Sequence, residues 1–334
     1  MDKFIKLSNE DKKFIYEHAA NKYKMHHSII EKDFWICFIL DYLFDRSKYK
    51  RLFTFKGGTS LSKVYGVINR MSEDIDLILD WSYLGVPKDE PITDRSKRQQ
   101  EIYNDNLNDL AKAFISGDLY NDLNDFFSEY GCKVEAIREE QIINIYYPKV
   151  FNDDNVGILP CVRLEIGPLA AWSPANESIV TPYINNVINN FTVSSAKVRT
   201  VTISRTFWEK ITILHREANR PENKKMPSRY FRHYYDVYKI ANSKYIDEIL
   251  KENYLLEKVV LFKTKFYNDN WAKYNEAKIG TLKLFPPIYR MEELKSDYNK
   301  MKEMFFDDTN SFEIIMDFIK NLEVTINKIN CYKA

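Results

Sequence analysis

A glycine pair set between a short apolar run and an acid-headed strand constrains this chain more than any other feature of its sequence. Residues 52–55 read as a strand entering Gly57-Gly58, residues 61–67 as a helix leaving it, and residues 74–79 as a second strand. Paired glycines at such a junction let backbone N–H groups approach a phosphate, and the start of the following helix adds favourable partial charge. The segment from Lys56 to Lys63 is therefore a candidate phosphate loop, with Gly57, Gly58, Thr59 and Lys63 as its contacts. It is not a P-loop of the GxxxxGK[ST] kind, because Ser62 and not glycine precedes Lys63.

Asp74 follows Gly58 by sixteen residues and opens the second strand. Residues i and i+2 of a strand share a face, so Asp74 and Asp76 point the same way while Ile75 turns into the core. Two carboxylates side by side repel each other unless a cation neutralises them, and oxygen ligands suit Mg²⁺ or Mn²⁺. Ser72 joins the nucleotide-binding candidates, and a phosphate added to it would set negative charge beside the metal ligands. A third carboxylate completes a two-metal site, in which ions about 3.5 to 4 Å apart bridge the attacking and leaving oxygens. Glu165 alternates with Leu164 and Ile166 as an acid projecting from a sheet would, and is the candidate for third ligand or base.

Ser8 predicts a capped helix to about Tyr23, and Ser28 with Glu31 a capping box for a second helix through Phe44. Residues 93–130 read as helical, and 133–138, 142–147 and 161–166 as strands. Beyond Val201 the apolar spacing is helical, with helices near 205–218, 229–242, 245–267, 290–304 and 311–328. At 334 residues the length favours two domains. The polar stretch between Pro174 and Thr202 is the expected boundary. That gives a mixed α/β (α+β) domain with N-terminal helices over 1–200 and a helical domain over 201–334 that completes the active-site cleft.

Lys and Arg total 49 against 48 for Asp and Glu, so the net charge of +1 offers no global attraction to nucleic acid, and such a partner needs a local patch. One exists in Arg216, Arg220, Lys224, Lys225, Arg229 and Arg232; Tyr230, Tyr234 and Tyr235 beside it could stack on bases, although aromatic residues on a helix more often pack in the core. Phe207, Ile211, Leu214 and Ala218 form a core stripe, and Lys210 on its flank is placed to neutralise triphosphate charge or to snorkel. Asp236 has a local partner in Arg232, four residues earlier. The N-terminus lacks an apolar leader and residues 34–44 are too short to cross a bilayer, so a cytoplasmic protein without membrane contact is expected. Cys37, Cys132, Cys161 and Cys331 form no CxxC pair, which predicts reduced, mostly buried thiols.

Taken together, the motifs resemble the AbiEii-type nucleotidyltransferase toxins of bacterial type IV toxin–antitoxin systems, which include the MenT-like toxins. Glu31-Lys32-Asp33-Phe34-Trp35 is similar to the family's EKD-aromatic segment, the run from Gly57 to Lys63 to its GGT-x-L-x-K loop, and that from Ser72 to Leu77 to its S-x-D-x-D-L motif. Trp208-Glu209-Lys210 resembles its E-K helix and the segment from Arg232 to Asp236 its R-D-x-Y-D pattern, with His233 where the family has aspartate. The resemblance implies a polymerase-β-like nucleotidyltransferase core with a largely helical C-terminal lobe, metal at Asp74 and Asp76, and Lys210 and Asp236 as further active-site residues. It also implies an NTP donor, an RNA acceptor such as the tRNA 3′ end used by some relatives, and a separately encoded antitoxin. Transfer to a small molecule or protein, and non-catalytic binding of nucleotide or RNA, remain the rival readings.

Overall fold

The computed structural model describes residues 1–87, 92–151, 160–169, 173–185, 187, 192–267, 269–306 and 310–329. Its contacts divide into two compact units: Met1–Val64 with Ser72–Thr200, and Tyr65–Met71 with Val201–Ala334. The first unit is built on a mixed seven-stranded sheet: β1 (Phe53–Lys56), β2 (Asp74–Leu79), β3 (Lys133–Ile137), β4 (Ile142–Tyr146), β5 (Cys161–Gly167), β6 (Ala175–Val180) and β7 (Ala196–Val201). Spatial order is β3-β4-β5-β2-β1-β7-β6. In the middle, β2 runs antiparallel to β1 and parallel to β5, and Ile75, Leu77, Val162 and Leu164 are buried.

Helices α1 (Asp2–Ile5), α2 (Asn9–Tyr23), α3 (His27–Asp41), α4 (Gly57–Lys63), α5 (Lys97–Phe114) and α6 (Tyr120–Ser128) complete this unit. The Ser8 hydroxyl caps α2 as expected, accepting the Asp11 N–H at 3.1 Å. At α3 the expectation fails: His26 is the N-cap, its Nδ1 accepting the Ser28 N–H at 3.3 Å, and Glu31 turns away from the helix start. From Ile30 to Asp41 every residue of α3 is buried, so its charged residues must find partners in the interior. Glu31 accepts the Val150 N–H at 2.7 Å, Lys32 pairs with Glu73, and Asp33 pairs with Lys63 at 2.6 Å while accepting the Tyr183 N–H at 2.8 Å. The EKD triplet thus ties α3 to the end of α4 and to the residue before Asp74. The Pro174 to Thr202 stretch contains β6 and β7, and the division at Thr200 and Val201 falls at its end, with Tyr65–Met71 assigned to the second unit in addition. Strand β6 shows no clear alternation because it is largely exposed, whereas β7 alternates between buried and exposed residues.

The second unit consists of α7 (Ile203–Ala218), α8 (Phe231–Ala241), α9 (Ile246–Lys251), α10 (Tyr254–Phe266), α11 (Met291–Met301) and α12 (Phe312–Ile326). The single helix expected over 245–267 is broken between α9 and α10 at Glu252 and Asn253. Phe207, Ile211 and Leu214 are fully buried as the spacing required. So are Tyr234 and Tyr235, while Tyr230 is 8% exposed, so these rings are core and do not offer faces for bases. The short segment Tyr65–Met71 belongs to this unit: Met71 N–H reaches the Met304 carbonyl at 2.7 Å, and the Phe306 N–H reaches that of Asn69 at 3.0 Å. Cys37, Cys132 and Cys161 are free and buried; Cys331 lies outside the described residues. No helix among the described residues is long and apolar enough to cross a membrane.

Candidate active site

Gly57 sits at the junction of β1 and α4 with φ +81°, a left-handed backbone that side-chain-bearing residues rarely adopt. A Cβ there would lie 1.8 Å from Oδ2 of Asp76. The missing side chain therefore makes room for the Asp76 carboxylate against the glycine turn, which gives the glycine and the acid a common physical reason. No side chain caps the first turn of α4. Gly58 follows within that turn. Thr59 is 1% exposed, and its hydroxyl lies 2.5 Å from the Asp74 carbonyl and 3.1 Å from the Ser72 hydroxyl, fastening α4 to the start of β2.

On β2, Asp74 stands opposite Arg163 of β5, and Asp76 is flanked by Glu165 of β5 and Lys56 of β1. Register partners and alternate residues share a face, so these side chains form one charged surface while Ile75 and Leu77 are buried on the other. Burial raises the Asp74 carboxyl above its usual range, and Glu73 and Asp76 push it further against the opposing influence of Arg163 and Lys32. Two half-buried carboxylates on one strand face, one of them reluctant to ionise, are a fitting donor pair for a divalent cation. Among the described residues no three His, Cys, Asp or Glu side chains converge as a metal-ligand group, so Glu165 does not complete a three-carboxylate site with them. Glu165 is exposed on the neighbouring strand, in register with Asp76.

Lys63 departs from the expected phosphate role. Its side chain is 6% exposed, pairs with Asp33 and lies 3.7 Å from the centroid of the Tyr183 ring. Burial opposes its charge, but Asp33 outweighs this and holds the ammonium pKa above its ordinary value. Glycine spacing marked the strand-to-helix turn but carried no information on which way the last residue of the segment points.

In the second unit, Lys210 on α7 lies 2.7 Å from Oδ2 of Asp236 on α8. Arg70 grips the same carboxylate with two hydrogen bonds, Nε to Oδ1 and Nη2 to Oδ2, each 2.8 Å. The expected pairing of Asp236 with Arg232 gives way to Arg70, 166 residues distant in sequence, and Arg232 is exposed. Burial alone would raise the Asp236 carboxyl; Arg70 and then Lys210 reverse this and hold it well below the usual range. An acid so firmly ionised, with both oxygens engaged, serves to position Lys210 and is ill suited to accept a proton. Sequence reading missed Arg70, whose only signal was a basic residue four places ahead of Asp74.

The family model described as nucleotidyl transferase AbiEii toxin, type IV TA system, matches residues 39–318. The chain belongs to this AbiEii family. Among solved structures it is similar to MenT4, a nucleotidyltransferase toxin of Mycobacterium tuberculosis H37Rv, with a TM-score of 0.50 and 13% identity over 97% of this chain and 91% of that one. That likeness bears on the fold, which resembles the MenT nucleotidyltransferase toxins as expected. No curated sequence matches. Membership of a type IV toxin–antitoxin family makes the AbiEii-family chain a nucleotidyltransferase toxin and implies an antitoxin partner.

Two arginines of the expected basic patch are engaged within the protein. Arg216 pairs with Asp269, its Nε 3.2 Å from Oδ2, and buried Arg220 pairs with Glu217 at 2.8 Å. Both guanidinium groups, 4.5 and 4.8 Å from the ring centroid, lie over Trp271. His215 is fully buried, its Nδ1 accepting the Lys283 N–H at 3.1 Å, and so is structural.

Proposed function

We propose that this AbiEii-family toxin transfers a nucleotide from an NTP to an RNA acceptor, a tRNA 3′ end, in a reaction that depends on Mg²⁺ or Mn²⁺. The observation that carries the reading is the fit of the Asp76 carboxylate against the side-chain-free Gly57, beside an uncapped helix start. Asp74 and Asp76 would hold the divalent ion, which when bound supplies Lewis-acid charge to the phosphates. Backbone N–H groups of Gly57, Gly58 and Thr59 bind phosphate oxygens, while the Thr59 and Ser72 side chains keep that turn in register with β2. Lys210, oriented by Asp236 and through it by Arg70, offsets triphosphate charge. The acceptor hydroxyl attacks the α-phosphorus in line as the bond to the β-phosphate oxygen breaks and pyrophosphate leaves. Glu165, exposed on the same sheet face as Asp76, accepts the hydroxyl proton.

Modification of tRNA by a toxin fits a cytoplasmic role in growth arrest or defence against phage. The test is incubation of purified protein and its Asp74→Ala variant with Mg²⁺, total tRNA and each α-labelled NTP in turn. Label entering RNA with wild type and absent with the variant is the expected outcome. A variant as active as wild type would end the metal assignment, and label entering only small molecules or protein would move the acceptor.

A further inference from the structure

Arg216 and Arg220, the first two members of the cationic run, are held in ion pairs inside the protein, whereas the remaining four are exposed, Lys224 with its ammonium 5.2 Å from the centroid of the Trp271 ring. Lys224, Lys225, Arg229 and Arg232 are all exposed in residues 221–232, against a single exposed acid in that stretch, Glu222. Four cations against one acid leave a local excess of three in a chain whose net charge is +1.

The backbone beneath these side chains is held by α11 and the residue before it. Buried Arg290 donates from Nη2 to the carbonyls of Pro221 at 2.6 Å, Glu222 at 3.1 Å and Lys224 at 2.6 Å. Glu293 accepts the Met226 N–H at 3.4 Å and anchors Arg290 at 2.7 Å. Asp297 accepts the N–H groups of Arg229 and Phe231, each at 2.8 Å. Collecting carbonyls and amides on the inner side turns the charged side chains outward, so little further ordering is needed when they meet a ligand. Arg229 sharpens the point: its φ is +58°, a conformation that glycine or asparagine takes up far more readily.

We propose that residues 221–232 form a preorganised cationic platform for the phosphate backbone of the RNA acceptor. The proposal rests on the RNA-acceptor reading given above. Met226 and Tyr230, the large apolar side chains within the loop that would anchor in a lipid surface, are buried, whereas Asn223 and Ser228 are exposed hydrogen-bonding groups suited to phosphate oxygens. The geometry favours RNA over a membrane for that reason.

The experiment compares the full-length protein with a variant carrying Lys224→Ser, Lys225→Ser, Arg229→Asn and Arg232→Ser. None of these residues contributes a side chain to the Arg290, Glu293 and Asp297 clamp, and asparagine suits the left-handed position, so circular dichroism and thermal unfolding should be preserved. Binding of labelled total tRNA is followed from about 50 to about 200 mM salt, and label transfer is measured in parallel. Each phosphate-bound cation contributes about 0.7 to 0.9 to the slope of log affinity against log salt, so the variant's slope should fall by about 3. Over that fourfold change in salt, wild type should lose roughly 60-fold more affinity than the variant.

Equal slopes for two proteins that both bind tRNA would overturn the platform and leave transfer to RNA standing. A wild-type protein that neither labels nor binds RNA at low salt would overturn both. Displacement of tRNA by polyglutamate as effectively as by unlabelled tRNA would assign the loop to acidic polypeptides instead, and the RNA assignment would fall.

Discussion

Replacing Gly57 by alanine would put a methyl group 1.8 Å from Oδ2 of Asp76 and 2.5 Å from its Cγ, at a φ of +81°. Non-bonded contacts to a Cβ below 3.0 Å are essentially never seen, so the carboxylate must withdraw by more than about 1 Å. The left-handed backbone costs alanine about 1 kcal/mol relative to glycine, and overpacking adds about 1–3 kcal/mol. Gly57→Ala should therefore destabilise the first unit by about 2–4 kcal/mol. In an Asp76→Ala background the carboxylate is gone, and the nearest of these contacts that remains is the Cβ of residue 76 at 2.9 Å. That contact is short of 3.0 Å by only about 0.1 Å, against more than 1 Å for the carboxylate, so a small shift relieves it and the substitution should cost little beyond the backbone contribution of about 1 kcal/mol. A double-mutant cycle followed by urea unfolding should thus give a coupling of about 1–3 kcal/mol between positions 57 and 76. Relief of Asp74 on losing its acidic neighbour occurs in both Asp76→Ala proteins and cancels. Costs that add to within about 0.5 kcal/mol would refute the contact on which the proposed site rests. In the transfer assay, Gly57→Ala alone should lose about 10²-fold, as expected for a ligand displaced by about 1 Å.

Two further outcomes test the buried charges. Arg70→Ala leaves Asp236 with Lys210 as its one remaining partner of the pair and should cost the second unit about 3–5 kcal/mol by urea unfolding; Arg70→Lys, lacking the paired donors, should recover only part, and an unchanged alanine variant would dismiss the clamp. Glu31 is pushed up to about 7, chiefly by burial, against an ordinary value of 4.5. Between those values the folded chain keeps a proton that the unfolded chain has lost, so this contribution to stability is full below the lower value and disappears as pH rises to the upper one. Glu31→Gln keeps an acceptor for the Val150 N–H but has no proton to lose. It should gain about 3 kcal/mol on wild type between about pH 5 and about pH 8, and a pH-independent difference between the two proteins would count against the shift.

The acidic strand was legible because the first half of β2 alternates: Ile75 and Leu77 are buried and Asp74 and Asp76 occupy the other face, before Ile78 and Leu79 are both buried. Glycine spacing marked the loop for a similar local reason, since a left-handed turn asks for glycine whatever surrounds it. Helix α7 was legible from its 3.6-residue stripe. What failed had long-range causes. Glu31 looked like a capping-box residue because Ser28 lies three positions earlier, but its partner is the Val150 N–H. Lys63 read as a phosphate ligand, but it meets a buried aspartate thirty residues before it.

By itself the sequence determined the local pieces: a glycine turn, an acid pair on one strand face, an amphipathic helix presenting Lys210, and a family pattern linking them. Each depends on backbone conformation and periodicity, which neighbours within a few residues dictate. Only the tertiary structure decided where the charges go. Asp236 could not be assigned to Arg70 over Arg232 from spacing, because a helix places i−4 within reach but cannot say that a guanidinium from another segment will fill the buried side first. In a buried setting each ion must be paired, and the partner is whichever opposite charge the packed core brings alongside.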